Sequence, residues 1–370
     1  IYWNSQQILW PKPGLLVVSG MQGYWYPYYA IDLAGPVMAR GVVAPIASAA
    51  SGSMAVTPAA RVGNAIMIDA PFFWPWRSSG GQLTAFDVSD PSAPRFKSFL
   101  NLQGTNAWWN VSQALTANGL VYVGHQSTEF LPGVLPAGQK PEPPQIVRDA
   151  DGTLVTNQIP VGTWVQRYYL DVVDYADPAT PTTRPPVNIP GALQGISADG
   201  SLIYTSGNHW DPVKFESDGT EWLDASAYDG VSAHLVDSVN LPASWPHPLV
   251  VAGDYVYVGQ VADQSQTDQP PALLVWTLSS AGKWTPIKPP VPLDGVAQSL
   301  RVLGNLLAVQ TSSANVELLD ITTPTAVKSI GGGIPGGCLW FDLASADGSL
   351  ANGLWLPLGA YGVAHIAPKP

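Results

Sequence analysis

The chain has 370 residues, 46% hydrophobic and 12% charged, with 36 Gly and 36 Pro, which supplies a large core and excludes a disordered chain or a collagen-like fibre. Its net charge is −11 and its 16 Lys and Arg stand singly, so the clustered cations that a nucleic-acid or anionic-membrane interface needs are missing. The one cysteine, Cys338, excludes an internal disulfide and a Cys-rich zinc module, and no apolar run is long enough for a transmembrane segment.

The sequence starts at Ile1 without Met and without a basic then apolar leader, which leads us to expect a processed portion of a longer protein. Scarce Lys, abundant Trp, Pro and Gly, and long polar insertions point to an extracytoplasmic location: secreted, periplasmic or cell surface.

Along the chain a tight turn precedes a β-rich apolar run seven times. Pro13–Gly14 precedes LLVVSG, Gly63–Asn64 precedes AIMIDA, and Asn118–Gly119 precedes LVYVGH. Asp199–Gly200 then precedes SLIYTSG, Gly253–Asp254 precedes YVYVGQ, Gly304–Asn305 precedes LLAVQT, and Asp347–Gly348 precedes a run ending GLWLPLG. Such dipeptides supply the positive-φ residues of two-residue hairpins. After each hairpin comes a strand ending in Asp and a Pro-rich turn: AIDLAGP at Ala30–Pro36, AFDVSDPSAP at Ala85–Pro94, VVDYADPATP at Val172–Pro181 and LLDITTP at Leu318–Pro324. Degenerate versions stand near Ala233–Asp237 and Val275–Ser280. Four strands per unit, at roughly 45–55 residues, is the period of a propeller blade.

The strand, Asp, Ser-Asp-Pro-x-x-Pro pattern, cleanest at Ala85–Pro94, resembles the LVIVD-type repeats of secreted bacterial propellers. The resemblance implies architecture more than activity, because such propellers occur in surface proteins of unlike function. The expected fold is all-β: a single seven-bladed β-propeller of four-stranded blades over residues 1–370, with a long insertion at about 124–168. The N- and C-terminal strands, Ile1–Trp10 and Tyr361–Ile366, are expected to share one sheet and close the ring.

The long second-to-third-strand loops fall at Ser19–Tyr28, Asp69–Gln82, Gly124–Tyr168, Gly207–Ser232 and Gln260–Ala272, all on one face of such a ring. That face is the expected functional face. It carries Tyr24, Trp25, Trp74, Trp76, Trp210 and Trp222, flat apolar side chains suited to sugar rings or protein hot spots; satellite packing among the loops is the plainer role for each. The insertion, with Pro at 132, 136, 141, 143, 144 and 160, is expected to run irregularly, with a hairpin at Asp151–Gly152.

His125 and His209 occupy matching places just after second strands, near Glu129 and Asp211, and are the acid/base candidates together with Asp211; a hydrogen-bonded structural role is the alternative. Five histidines are too few for an axial metal site, and no metal or other cofactor is expected. Asp149–Gly152 lacks the remaining oxygen ligands of a calcium loop. Asp32, Asp87, Asp174 and Asp320 recur at separate turns and are expected to cap them. Cys338 is expected to be a buried, inert thiol. The functional reading is a non-enzymatic recognition or structural domain of a secreted or cell-surface bacterial protein, binding a partner protein or polysaccharide on the insert-bearing face. Its rivals are a glycan-active lyase or hydrolase in the axial funnel and, third, a quinoprotein dehydrogenase, whose Trp-docking repeat is not found.

Overall fold

The computed structural model describes residues 8–12, 15–19, 28–32, 38–43, 59–62, 65–69, 82–87, 95–101, 109–117, 120–148, 150–157, 161–211, 217–241, 247–260, 270–312, 315–335, 353–357 and 363–366. They form antiparallel sheets in chain order. The first holds β1 (Ile8–Lys12), β2 (Leu15–Ser19), β3 (Tyr28–Asp32) and β4 (Met38–Val43); the second holds β5 (Ala59–Val62), β6 (Ala65–Asp69), β7 (Gln82–Asp87) and β8 (Arg95–Asn101). The third is built on β9 (Trp109–Ala117), β10 (Leu120–Pro132) and β13 (Gly162–Asp174), with β11 (Gln145–Arg148) and β12 (Leu154–Asn157) forming a separate hairpin between the last two. The short β14 (Thr182–Thr183) and β15 (Val187–Ile189) complete it along β13.

The fourth sheet holds β16 (Ala192–Ile196), β17 (Leu202–Trp210), β18 (Ser217–Tyr228) and β19 (Ala233–Asn240). The fifth holds β20 (Leu249–Ala252), β21 (Tyr255–Gly259), β22 (Ala272–Leu278) and β23 (Trp284–Pro292). The sixth holds β24 (Ala297–Leu303), β25 (Leu306–Thr311), β26 (Asn315–Asp320) and β27 (Lys328–Pro335); β28 (Leu354–Pro357) and β29 (Val363–Ile366) pair as a last two-stranded piece.

The sheets stack face to face. Tyr122, Leu170 and Val172 of the third pack on Leu193, Ile203 and Tyr228 of the fourth. Tyr204, Leu223 and Ala225 pack on Val256, Val258 and Trp284 of the fifth, and Tyr257, Leu273 and Val275 pack on Leu307, Val309 and Leu319 of the sixth. Leu306, Ala308 and Val316 in turn meet Leu354. Being covered on both sides explains why second strands read as continuous apolar runs rather than alternating ones: Val256, Tyr257 and Val258 are all buried, as are Leu306 to Val309. Each fully buried Leu or Val contributes roughly 2 kcal/mol of apolar transfer. Inner strands approach so closely that a Cβ on Gly195 of β16 would stand 2.2 Å from Val251 Cγ2 of β20. Glycine is required there.

The three expected turns that fall among the described residues form, with Gly200 at φ 72° and both Gly253 and Gly304 at φ 59°; the other four lie outside them. Asp174 and Asp320 do cap their turns, accepting the N–H of Ala176 at 2.8 Å and of Thr322 at 2.9 Å. In the fourth sheet the third strand is β18, followed directly by Asp229, whose carboxylate accepts the N–H groups of Val231 and Ser232. Ala233–Asp237 therefore belongs to the outer strand, not to a degenerate third one, and most of the expected Gly207–Ser232 loop is ladder.

The insertion also differs from its expected irregular course. β10 and β13 pair without a break from Leu120↔Asp174 to Pro132↔Gly162, whereas β9 reaches only Ser127 and β15 only Tyr168. Two strands thus rise beyond the sheet as a ribbon. The prolines cluster from 132, the last pair of the ladder, to 144, and leave β-forming residues such as Phe130, Thr163, Trp164 and Val165 in the ladder. The hairpin at Asp151–Gly152 is present as β11–β12, with Gly152 at φ 80°. Ile8 and Leu9 pair with Val18 and Val17 of β2, and β29 pairs with β28, so the expected pairing of Ile1–Trp10 with Tyr361–Ile366 is not seen among the described residues; residues 1–7 and 361–362 lie outside them.

Candidate functional site

Strand alternation sorts the polar side chains of the ribbon base. Even-numbered Tyr122, Leu170 and Val172 face the fourth sheet, so His125, Ser127, Glu129, Arg167, Tyr169 and Asp171 share the opposite face, on the side where β5 of the second sheet approaches β10. His125 and Asp171 are both buried and hydrogen-bonded through His125 Nδ1. The His125 ring stacks on Tyr169 with centroids 5.2 Å apart. Tyr169 donates to Glu129 Oε1 at 2.5 Å, and Arg167 Nε stands 3.1 Å from Glu129 Oε2. Burial, then the bond to Glu129, pushes the Tyr169 phenol up to about 12, so it acts as a donor and not as a base.

The next sheet repeats the theme on its face toward the third. β17 and β18 pair Thr205 with Asp224 and Gly207 with Trp222. Asp224 is fully buried and accepts from His209 Nε2 at 3.0 and 3.1 Å and from Ser238 Oγ at 2.5 Å. The His209 imidazole is 32% exposed and lies flat on the Trp222 indole, 4.8 Å between centroids and 2° between planes. On the opposite face of β18, Glu221 holds His247, which stands just before β20.

Both histidine candidates therefore lie inside their second strands, because those strands run on past the sheet, and not just after them. They face the same way on successive sheets with the body of the third sheet between them, and they do not converge. Each imidazole is oriented by its own carboxylate, the arrangement that suits a histidine to proton transfer. Asp211 follows the end of β17, where β17 Trp210 pairs with Ser217. Tyr24, Trp25, Trp74, Trp76 and Cys338 lie outside the described residues. Among the described residues no three His, Cys, Asp or Glu side chains stand together as metal ligands, and no helix is long and apolar enough to cross a membrane. The carboxylates Asp171, Asp224 and Glu221 were missed by sequence reasoning. Their signal was an acid inside an apolar strand, as in Leu-Asp-Val-Val and Trp-Leu-Asp-Ala.

Residues 78–101, spanning β7, β8 and the Ala85–Pro94 segment between and around them, match the LVIVD repeat. The chain is a β-propeller repeat domain. No curated protein sequence matches it. Among solved structures it is similar to a chain of the mitotic checkpoint complex, at 12% identity and TM-score 0.51, covering 99% of this chain and 91% of that one. It is also similar to Chaetomium thermophilum Sqt1 bound to the N-terminus of the ribosomal protein L10, at 11% identity, TM-score 0.46 and coverage of 99% and 88%. A third is the Pseudomonas aeruginosa periplasmic gluconolactonase, at 12% identity, TM-score 0.38 and coverage of 88% and 96%. At such identities the likeness concerns fold.

Among the described residues, exposed large hydrophobics concentrate on the insertion, which holds the ribbon and the β11–β12 hairpin. Phe130 and Trp164 pair at 5.2 Å between ring centroids, and Phe130 lies over Gly162, where a Cβ would stand 2.4 Å from its ring. Of the seven exposed large hydrophobics among the described residues, Ile146, Leu154, Val161 and Trp164 all belong to the insertion. That concentration selects the insertion as the candidate contact surface.

Proposed function

We propose that the chain is a seven-bladed recognition propeller, one domain over residues 1–370, of a secreted or cell-surface bacterial protein. It binds a partner protein through the insert-bearing face. The supporting observation is the apolar exposure of the insertion, with Trp164 57% exposed, Ile146 72% and Leu154 61%. Apolar side chains exposed together on one insertion are what a partner protein covers, and the aliphatic Ile146 and Leu154 offer no flat ring on which a sugar could stack. The test replaces residues 129–165 with an Asn-Gly turn between the paired Thr128 and Gln166, and probes both proteins with a displayed peptide library and a glycan array. Folded blades with lost peptide binding support the reading; peptide binding undiminished by the replacement overturns it, and binding confined to glycans moves the partner to a polysaccharide.

A second reading rests on the half-open His209 held by buried Asp224, which is the acid/base half of a hydrolytic or lyase site in the funnel of the same face. Turnover of a glycan mixture that disappears in His209→Gln supports that reading over the first.

A further inference from the structure

The ribbon has an edge as well as a face. In an antiparallel strand the N–H and C=O of one residue point the same way, and successive residues alternate. The Val172 carbonyl accepts the Arg184 N–H at 2.9 Å and the Tyr168 carbonyl accepts the Asn188 side-chain amide at 2.8 Å, both from the outer side of β13. The Val161 carbonyl instead accepts the Gly133 N–H at 2.8 Å from the β10 side. Pairing with β10 continues without a register shift, so this alternation holds along the whole strand. Trp164 and Gln166 therefore present their backbone groups outward, beyond the end of β15, where no described residue pairs with them.

We infer that the outer edge of β13, from Gly162 to Arg167, is a strand-addition site that takes an extended segment of a partner protein. The inference rests on the recognition reading and specifies its binding mode. Edges left open in solution are usually blunted with Lys, Pro or a bulge. This one carries no Lys and no Pro between 162 and 167, and no bulge. Its outward donors and acceptors, paired by no described residue, recur every second residue, a spacing that another backbone matches and a glycan does not. Trp164 stands on that edge beside Phe130 and supplies a platform for an apolar side chain of the incoming strand. A second copy of this chain is the poorer occupant, because two copies of net charge −11 repel.

The experiment selects a displayed library of random nine-residue peptides on the purified full chain. The affinity of the selected peptides is then measured for wild type, Gln166→Pro and Trp164→Ala. Gln166→Pro deletes an outward N–H and leaves the ladder to β10 in place, a substitution that edge strands tolerate. Each lost backbone hydrogen bond is expected to weaken binding up to about tenfold, and Trp164→Ala by about tenfold or more. Backbone N-methylation of the peptide guards against misfolding of the Pro variant: methyl groups at one alternating set of positions abolish binding and those at the other set do not. A library that yields no binder, or binders indifferent to Gln166→Pro and to every N-methyl group, overturns the proposal. So does a concentration-dependent dimer that Gln166→Pro dissolves, since the edge then serves self-pairing. Peptide binding lost on trimming the ribbon but retained in Gln166→Pro leaves the insertion as the recognition element and removes strand addition alone.

Discussion

Glu221 holds His247 twice through one carboxylate oxygen, which accepts the backbone N–H at 2.8 Å and the ring Nδ1–H at 2.5 Å. The His247 side chain is fully buried, and the pair bridges the fourth sheet to the connection into the fifth. His209–Asp224 stands on the face between the third and fourth sheets, and His125–Asp171 on the face of the third that is turned toward the second. Three successive faces of the third and fourth sheets thus each carry a histidine held by a buried carboxylate. Such a pair costs desolvation, and breaking it by removing one partner leaves an uncompensated buried group.

Glu221→Ala is expected to destabilise the propeller by about 3 kcal/mol, read as a fall in the urea midpoint. Glu221→Gln keeps an oxygen acceptor for both N–H groups and should cost clearly less. By the same argument His125→Ala costs more than His209→Ala, because His125 is buried whereas His209 is 32% exposed. Equal midpoints for wild type and Glu221→Ala would show that the pair holds nothing together.

Gly195→Ala tests the close approach of inner strands. The added Cβ would meet Val251 at 2.2 Å from Cγ2 and 2.4 Å from Cβ. Overpacking of this kind costs roughly 1–3 kcal/mol. Val251→Ala should rescue it only in part, since the Val251 Cβ remains. Complete rescue, measured by thermal melting, would place the strain in the side chain alone.

The turn carboxylates set the acid limit of stability. Hydrogen bonds from the Ser197 hydroxyl, then from the Ser201 N–H and hydroxyl, hold Asp199 down at about 2, and Asp177, Asp229, Asp237 and Asp320 are lowered through similar bonds. A depressed folded value means stability that is present above the unfolded value of about 3.9 and is lost as pH falls through the folded one. Unfolding should therefore develop between about pH 4 and 2, and Asp199→Asn should flatten that slope without moving the melting point at neutral pH upward. An unchanged acid slope in Asp199→Asn, followed by circular dichroism, counts against the capping role.

Much of this fold was legible because turn chemistry and strand composition repeat: Asp199–Gly200 and Gly253–Asp254 each led to a hairpin now seen. The fourth sheet was misjudged because its third strand is followed by Asp229 without the Pro-rich turn that marks the others. The ribbon was misjudged because its prolines were counted over the whole insertion, although they cluster past Leu131. His125 and His209 were legible as unusual residues, but their partners were not. Asp171 and Asp224 reach them across strands, through a register that only the folded ladder sets.

Recognition and catalysis make opposite demands on His209. Trp222 supports the imidazole on one side and Asp224 fixes its Nε2. For a general acid or base, His209→Gln removes roughly 100- to 10,000-fold of turnover and leaves ligand affinity unchanged. For a recognition surface, His209→Gln has little effect, while Trp164→Ala on the ribbon weakens binding by about 2 kcal/mol. The recognition reading expects the second pattern, measured by calorimetry with a peptide selected on wild type and by a parallel turnover assay on mixed glycans. Turnover that vanishes in His209→Gln, with Trp164→Ala silent in both assays, would move the function from the ribbon to the interface between the third and fourth blades.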